Sequence, residues 1–164
     1  MSQQNTHPFR FPDAHVALAH NGHLRDFDRM RFDLLEHVRP ELALRVQGGT
    51  DSEWLYVLLL SQLADPLGAP DIEDLAPAVV RTLEIVRELR ERHGIATASP
   101  ANLFVTTGTS LVVTRFSFDH GWYPPDDPLL ELDLPYVTLW YTLGGEYREH
   151  EGSGRWAAQT CRRR

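Results

Sequence analysis

The reading of this chain turns on Ala19-His20-Asn21-Gly22-His23-Leu24. Just before it, Ala14-His15-Val16-Ala17-Leu18 alternates weakly and reads as a short buried strand over His15 to Ala19. Asn-Gly is a strong turn dipeptide, because both residues tolerate positive φ. A strand that runs into it presents an Asn side chain and a bare Gly N–H at its mouth. Two such donors on a sharp turn can hold a developing oxyanion. The same dipeptide also describes a plain hairpin turn with no chemistry.

Working outward, Met1 to Pro12 is polar, carries Pro8 and Pro12, and reads as extended, with Phe9 and Phe11 to one side. Downstream, Phe27, Met30, Leu34 and Val38 recur at three- and four-residue spacing, which predicts a helix over Leu24 to Val38, stopped by Pro40. Leu42 to Gly49 reads as a loop. The strongest helix signal follows. Thr50 or Asp51 can cap its start, Glu53 sits where a carboxylate meets the positive dipole end, and Trp54 to Leu63 is apolar on nearly every face, so this helix is expected to be buried.

Asp71 is placed to cap a further helix with a stripe of Leu75, Val79, Leu83, Val86 and Leu89. Arg81, Arg87, Glu88, Arg90 and Glu91 fall mostly opposite, Pro77 lies near the start, and Gly94 ends the run. Leu103–Thr106 and Leu111–Phe116 flank Thr107-Gly108-Thr109-Ser110 as a hairpin, and Tyr136–Thr142 reads as another strand. Helices segregated from antiparallel strands argue for an α+β fold.

Three motifs in this order, NTHPF (Asn5 to Phe9), AHNGHL (Ala19 to Leu24) and GGTDSE (Gly48 to Glu53), resemble the class II glutamine amidotransferases. The likeness is strongest to the branch that includes the ergothioneine-pathway γ-glutamyl hydrolase. It runs from about Asn5 to Tyr147. The resemblance implies a partial α-β-β-α sandwich of the N-terminal-nucleophile hydrolase type, with glutamine or a γ-glutamyl compound as small-molecule substrate. It also implies Asn21 and Gly22 as the oxyanion hole and Asp51 as the anchor of the substrate ammonium. His20 and Thr50, beside these positions, join the expected substrate-binding set. A helix N-terminus near Thr50 would help keep the Asp51 carboxylate ionised. Asn21, Gly22 and Asp51 are then expected to line one concave pocket.

The family's nucleophile is an N-terminal cysteine with its own α-amino group as base. The only cysteine here is Cys161, which does not match that position. Ser2, exposed at the N-terminus if Met1 is removed, is a weaker candidate for an N-terminal hydroxyl nucleophile. The expectation is an incomplete, inactive domain over residues 1–147 with a disordered tail over 148–164, or alternatively a non-catalytic module that binds a ligand or completes another chain's sheet. An uncovered sheet edge would favour self-association.

Composition narrows the classes. At 164 residues the chain suits one domain with a real core. A formal charge of −7 argues against nucleic acid and against anionic membranes as partners. A single cysteine allows no intrachain disulfide and fits a reducing cytoplasm. No apolar run approaches a membrane span. His15, His20 and His23 cluster in sequence, but hydrogen-bonded turn histidines explain them better than a metal site, and no cofactor is expected. Trp122, Tyr123, Trp140 and Tyr141 read as core and rim packing rather than a base-stacking platform.

Overall fold

The computed structural model describes residues 6–119. The expected strand Tyr136–Thr142 and the tail from residue 148 lie outside the described residues. Strand β1 (Ala17–Gly22) pairs antiparallel with β2 (Ser99–Thr106), from Ala17 opposite Thr106 to Gly22 opposite Ala101. β2 turns through residues 107–110 into β3 (Leu111–Val113), as the hairpin pattern predicts, and its first residues pair with β4 (Ser117–Phe118). Four α-helices are present among the described residues: α1 (Phe27–Met30), α2 (Pro40–Ala43), α3 (Asp51–Ser61) and α4 (Ile72–Arg92). No described helix is long and apolar enough to cross a membrane.

The core lies between the sheet and the layer formed by α3 and α4, which pack on each other, with α3 against β1 and α4 against β3. Along β1, Leu18 and His20 point into this core, while Asn21 is exposed on the other face, following the two-residue alternation of a strand. Helix α3 is buried from Asp51 through Leu60. Its partners must therefore surround it, as its all-round apolar sequence requires. Helix α4 is amphipathic and buries Leu75, Val79, Val86 and Leu89 together with Ala78, Thr82 and Ile85, while Leu83 is only partly covered. Asp71 caps it by accepting a hydrogen bond from the Asp74 amide at 3.0 Å, and Gly94 follows the C-terminus at φ 61°.

Several expectations are corrected. Asn21-Gly22 does not form a turn; β1 continues through it and the chain turns later, at Arg25 and Asp26. The predicted helix over Leu24–Val38 is broken into α1 and a 3-10 turn at Asp33–Glu36. Its start is delayed to Phe27 because Asp26 takes φ 56°, outside the helical region, while the Leu24 amide donates to Asp51 and the Arg25 amide to the Ser99 hydroxyl. The apolar stripe is nonetheless buried at Leu24, Phe27, Met30, Leu34 and Val38. Pro40 opens α2 at its first position, where a missing N–H costs nothing, so the expected loop over Leu42–Gly49 begins inside a helix. Arg90, assigned to the solvent face of α4, is 1% exposed.

Candidate functional site

The Gly48-to-Glu53 stretch uses four consecutive polar side chains on four different parts of the chain. The Thr50 hydroxyl accepts from the Glu53 amide at 3.3 Å and caps α3. Asp51 Oδ2 accepts from the Leu24 amide at 2.7 Å, which joins the helix start to the segment leaving β1. Ser52 Oγ lies 3.0 Å from His20 Nδ1 and donates to Asp51 Oδ1 at 3.2 Å. The Glu53 carboxylate turns back and accepts from the Gln47 and Gly48 amides at 2.8 and 2.6 Å, which fixes the loop that delivers Thr50.

His20 therefore sits between two motifs. Its ring has no exposed side-chain surface, with Asp51 Oδ1 3.9 Å from Nδ1 and the Pro100 carbonyl oxygen 3.4 Å from Nε2. Burial pushes the imidazole below its usual titration range, and the Asp51 carboxylate only partly offsets this. A neutral ring carries one N–H, so it donates toward Ser52 or toward Pro100 but not both. When Ser52 gives its single proton to Asp51, Nδ1 is the donor to Ser52.

Beside this buried relay, His23 Nδ1 lies 3.4 Å from Asp51 Oδ2. The His23 side chain is 71% exposed and that of Asp51 is 10% exposed, so His23 stands between the carboxylate and solvent. The Gly22 position is set by proximity: a Cβ built there would stand 1.9 Å from the Pro100 oxygen, and the His23 amide donates to that same oxygen at 3.1 Å. The corner thus gathers His20, Gly22, His23, Asp51 and Ser52. The Asn21 side chain leaves β1 on the face opposite His20 and is exposed, so it stands outside the hydrogen-bonded cluster around Asp51. Among the described residues, no group of three His, Cys, Asp or Glu side chains could hold a metal ion. A surface cleft of about 330 Å³ between the end of α3 and the first turns of α4, lined by Gln62, Glu73, Asp74, Pro77 and Arg81, contains none of these residues.

Residues 1–122 match the family of glutamine amidotransferases class-II. The chain belongs to that family. The probable glutamine amidotransferase DUG3 of Saccharomyces cerevisiae is 32% identical over 128 residues, covering 71% of this chain and 35% of that protein. The solved structure of a glutamine aminotransferase class-II domain protein from Silicibacter pomeroyi shares the fold with a TM-score of 0.57 and 27% identity, covering 73% of this chain and 51% of that one. The class II amidotransferase chain described here thus spans 35% and 51% of the lengths of these two relatives. Its α+β architecture is of the N-terminal-nucleophile hydrolase type.

Several residues that shape this amidotransferase corner escape a reading of the sequence. Ser52 and Glu53 sit inside a recognised motif, and the Thr50-x-x-Glu53 spacing signals a capping box, but Glu53 serves the preceding loop instead. Tyr56 lies within an apolar run, yet its hydroxyl accepts from the Phe11 amide and donates to the Val16 carbonyl, both at 3.0 Å, and so ties the leading segment to β1. Arg90 and Ser99 carry no local signal at all.

Proposed function

We propose that this domain binds glutamine or a γ-glutamyl compound at the corner where β1 ends and α3 begins. Asp51 is the partner of the substrate ammonium, and Asn21 with the Gly22 amide stabilises charge on the reacting carbonyl oxygen. The observation that supports this reading best is the meeting of two motifs about thirty residues apart: the Asp51 carboxylate accepts from the Leu24 amide at 2.7 Å, with the exposed His23 ring 3.4 Å away. A partly desolvated carboxylate at a helix N-terminus suits an ammonium ligand. In this pose the reacting amide lies over the Asn21 face of β1 and the ammonium reaches around the strand end to Asp51. His20 and Thr50 take supporting parts, because the His20 ring is enclosed and the Thr50 hydroxyl serves as a cap.

Hydrolysis needs a nucleophile, and the only cysteine, Cys161, stands beside three arginines far along the chain. Losing a nucleophile costs on the order of 10⁶-fold in turnover in a well-studied hydrolase. We therefore expect this chain to bind without measurable glutaminase turnover. A non-catalytic module that completes another chain is the second reading, favoured by how much of the Asp51 carboxylate already serves Leu24 and Ser52 rather than a ligand. Leu111 and Val113, exposed on one face of β3, support concentration-dependent self-association, readable as mass by light scattering.

Titration of L-glutamine and L-glutamate into ¹⁵N-labelled chain, with an ammonia assay alongside, tests the reading. The expected result is amide shifts at Gly22 to Leu24 and Asp51 to Glu53, lost in Asp51→Asn, with no ammonia released. Shifts confined to other surfaces, or none at saturating ligand, sink the site assignment. Ammonia release abolished by Cys161→Ala or Ser2→Ala would make this chain a working enzyme.

A further inference from the structure

We propose that Arg90 is a positioning residue for the amidotransferase site, holding the backbone of Gly22 to Arg25 against the start of β2. Its guanidinium is buried on α4, where Nη1 donates to Ser99 Oγ at 2.9 Å and to the Arg25 carbonyl at 3.5 Å. Nη2 donates to the Thr97 carbonyl and, at 2.9 Å, to Asp119 Oδ2. The Phe118 ring lies beneath it, 5.1 Å from the guanidinium carbon to the ring centroid. One cation therefore touches both chain segments that cross at Gly22. The crossing itself is closed by the His23 amide on Pro100 O at 3.1 Å and the Arg25 amide on Ser99 Oγ at 3.1 Å.

Two backbone observations point the same way. Among the described residues, the non-glycine positions with positive φ are Asp26 at 56° and Asp119 at 46°. The Arg90 guanidinium holds both: it binds the carbonyl of Arg25, immediately before Asp26, and the side chain of Asp119. Aspartate enters the left-handed region more readily than most residues, and here both such turns are held in place by contacts to the same guanidinium. The ion pair joins an enclosed guanidinium to an Asp119 side chain that is 39% exposed, so it adds little stability of its own, and its value lies in the direction it imposes on the groups it joins. What is fixed here is the approach of Pro100 to Gly22, and with it the direction of the Gly22 and His23 amides and the surroundings of His20 Nε2. Arg90 contacts no substrate in this scheme, and its catalytic meaning rests on the site reading given above.

The test uses the full chain with Arg90→Lys, Arg90→Ala, Ser99→Ala and a control, Val79→Ala, which removes buried volume from the same helix. Lysine keeps the charge but lacks the planar fork that reaches Ser99, Thr97 and Asp119 together. Arg90→Lys is expected to displace the Gly22, His23, Leu24 and Arg25 amide signals and the His20 ring-nitrogen signals. Val79→Ala, at a comparable loss of thermal stability, leaves them in place. Added guanidinium returns the Arg90→Ala spectrum toward wild type. If Arg90→Lys does not fold, Ser99→Ala, which deletes only the shared hydroxyl, must show the same displaced signals. Unmoved Gly22-to-Arg25 signals in the folded variants, or equal movement in Val79→Ala, overturn the inference. If L-glutamine leaves the wild-type Gly22 signal unchanged, the substrate reading fails, while the Arg90 result still stands or falls on the amide and imidazole signals alone.

Discussion

The Pro100 carbonyl occupies the space where a side chain on Gly22 would begin, with 1.9 Å between its oxygen and a Cβ built at that glycine. The obstacle is backbone on a paired strand, so it cannot swing aside as a flexible side chain would. Gly22→Ala is expected to destabilise the domain by about 3 kcal/mol, read as a lowered midpoint in chemical denaturation. Gly49→Ala is the contrast, since its nearest obstacle is the tip of the Arg31 side chain at 3.6 Å, and it should leave the midpoint almost unchanged.

Tyr56→Phe removes one hydroxyl that satisfies two backbone groups, the Phe11 amide and the Val16 carbonyl. The ring packing on Phe11, with centroids 5.1 Å apart, is retained. The cost is expected at about 2 kcal/mol, the penalty for buried groups left unpaired. Faster amide exchange at Phe11 is the local signature, and unchanged exchange there would show that the leading segment is held by other means.

Acid should weaken the fold through His20. Burial lowers the pKa of this imidazole in the folded state, so the unfolded chain binds a proton more readily than the native one. The contribution is fully present above the unfolded histidine value of about 6.5 and is lost as pH falls from there toward the folded pKa. Denaturation midpoints at pH 7.5 and pH 5.5 (about one unit either side of that value) should therefore differ more for wild type than for His20→Gln. Equal differences would mean that other groups carry the acid sensitivity.

Glu53→Ala strips the acceptor from the Gln47 and Gly48 amides and leaves a space in a buried position. Two charge-assisted bonds are lost, and a destabilisation of about 3 kcal/mol is expected. Hydrogen exchange at Gln47 and Gly48 should accelerate beyond the global change. Glu53→Gln, which can still accept with one oxygen, should recover part of the loss.

Much of the fold can be read directly from patterns in the chain. The caps at Thr50 and Asp71, the all-round apolar run of α3, the stripe of α4 and the β2–β3 hairpin each declare themselves through local chemistry. The failures are non-local. Asn21-Gly22 looks like a turn because both residues tolerate one, yet the pairing with Asn102 and Ala101 keeps them in a strand. Leu24 to Val38 has the period of a helix, but Asp26 takes a left-handed φ next to Leu24 and Arg25, which Asp51 and Ser99 tie down from elsewhere in the chain. Arg90 looks like one more solvent-facing arginine, because nothing in its own neighbourhood shows that Ser99 and Asp119 will close over it. In the candidate corner, Asp51 lies inside a motif that a reading of the sequence picks out, while His20, the partner of Ser52, and Val16, the partner of Tyr56, lie outside any short window.

The pairing of β1 with β2 has a consequence for how the chain is made. Ala17 must wait for Thr106, and Gly22 for Ala101, so α3 leaves the ribosome with its apolar faces uncovered long before the strand that completes its shelter exists. Contacts this distant in sequence are slow to close. The nascent polypeptide therefore spends the synthesis of the whole of α4 as a sticky, unfinished species, the kind that binds holdase chaperones or aggregates. A ribosome stalled before Ser99 should hold a protease-sensitive chain, and one that has cleared the β2–β3 hairpin should hold a resistant one.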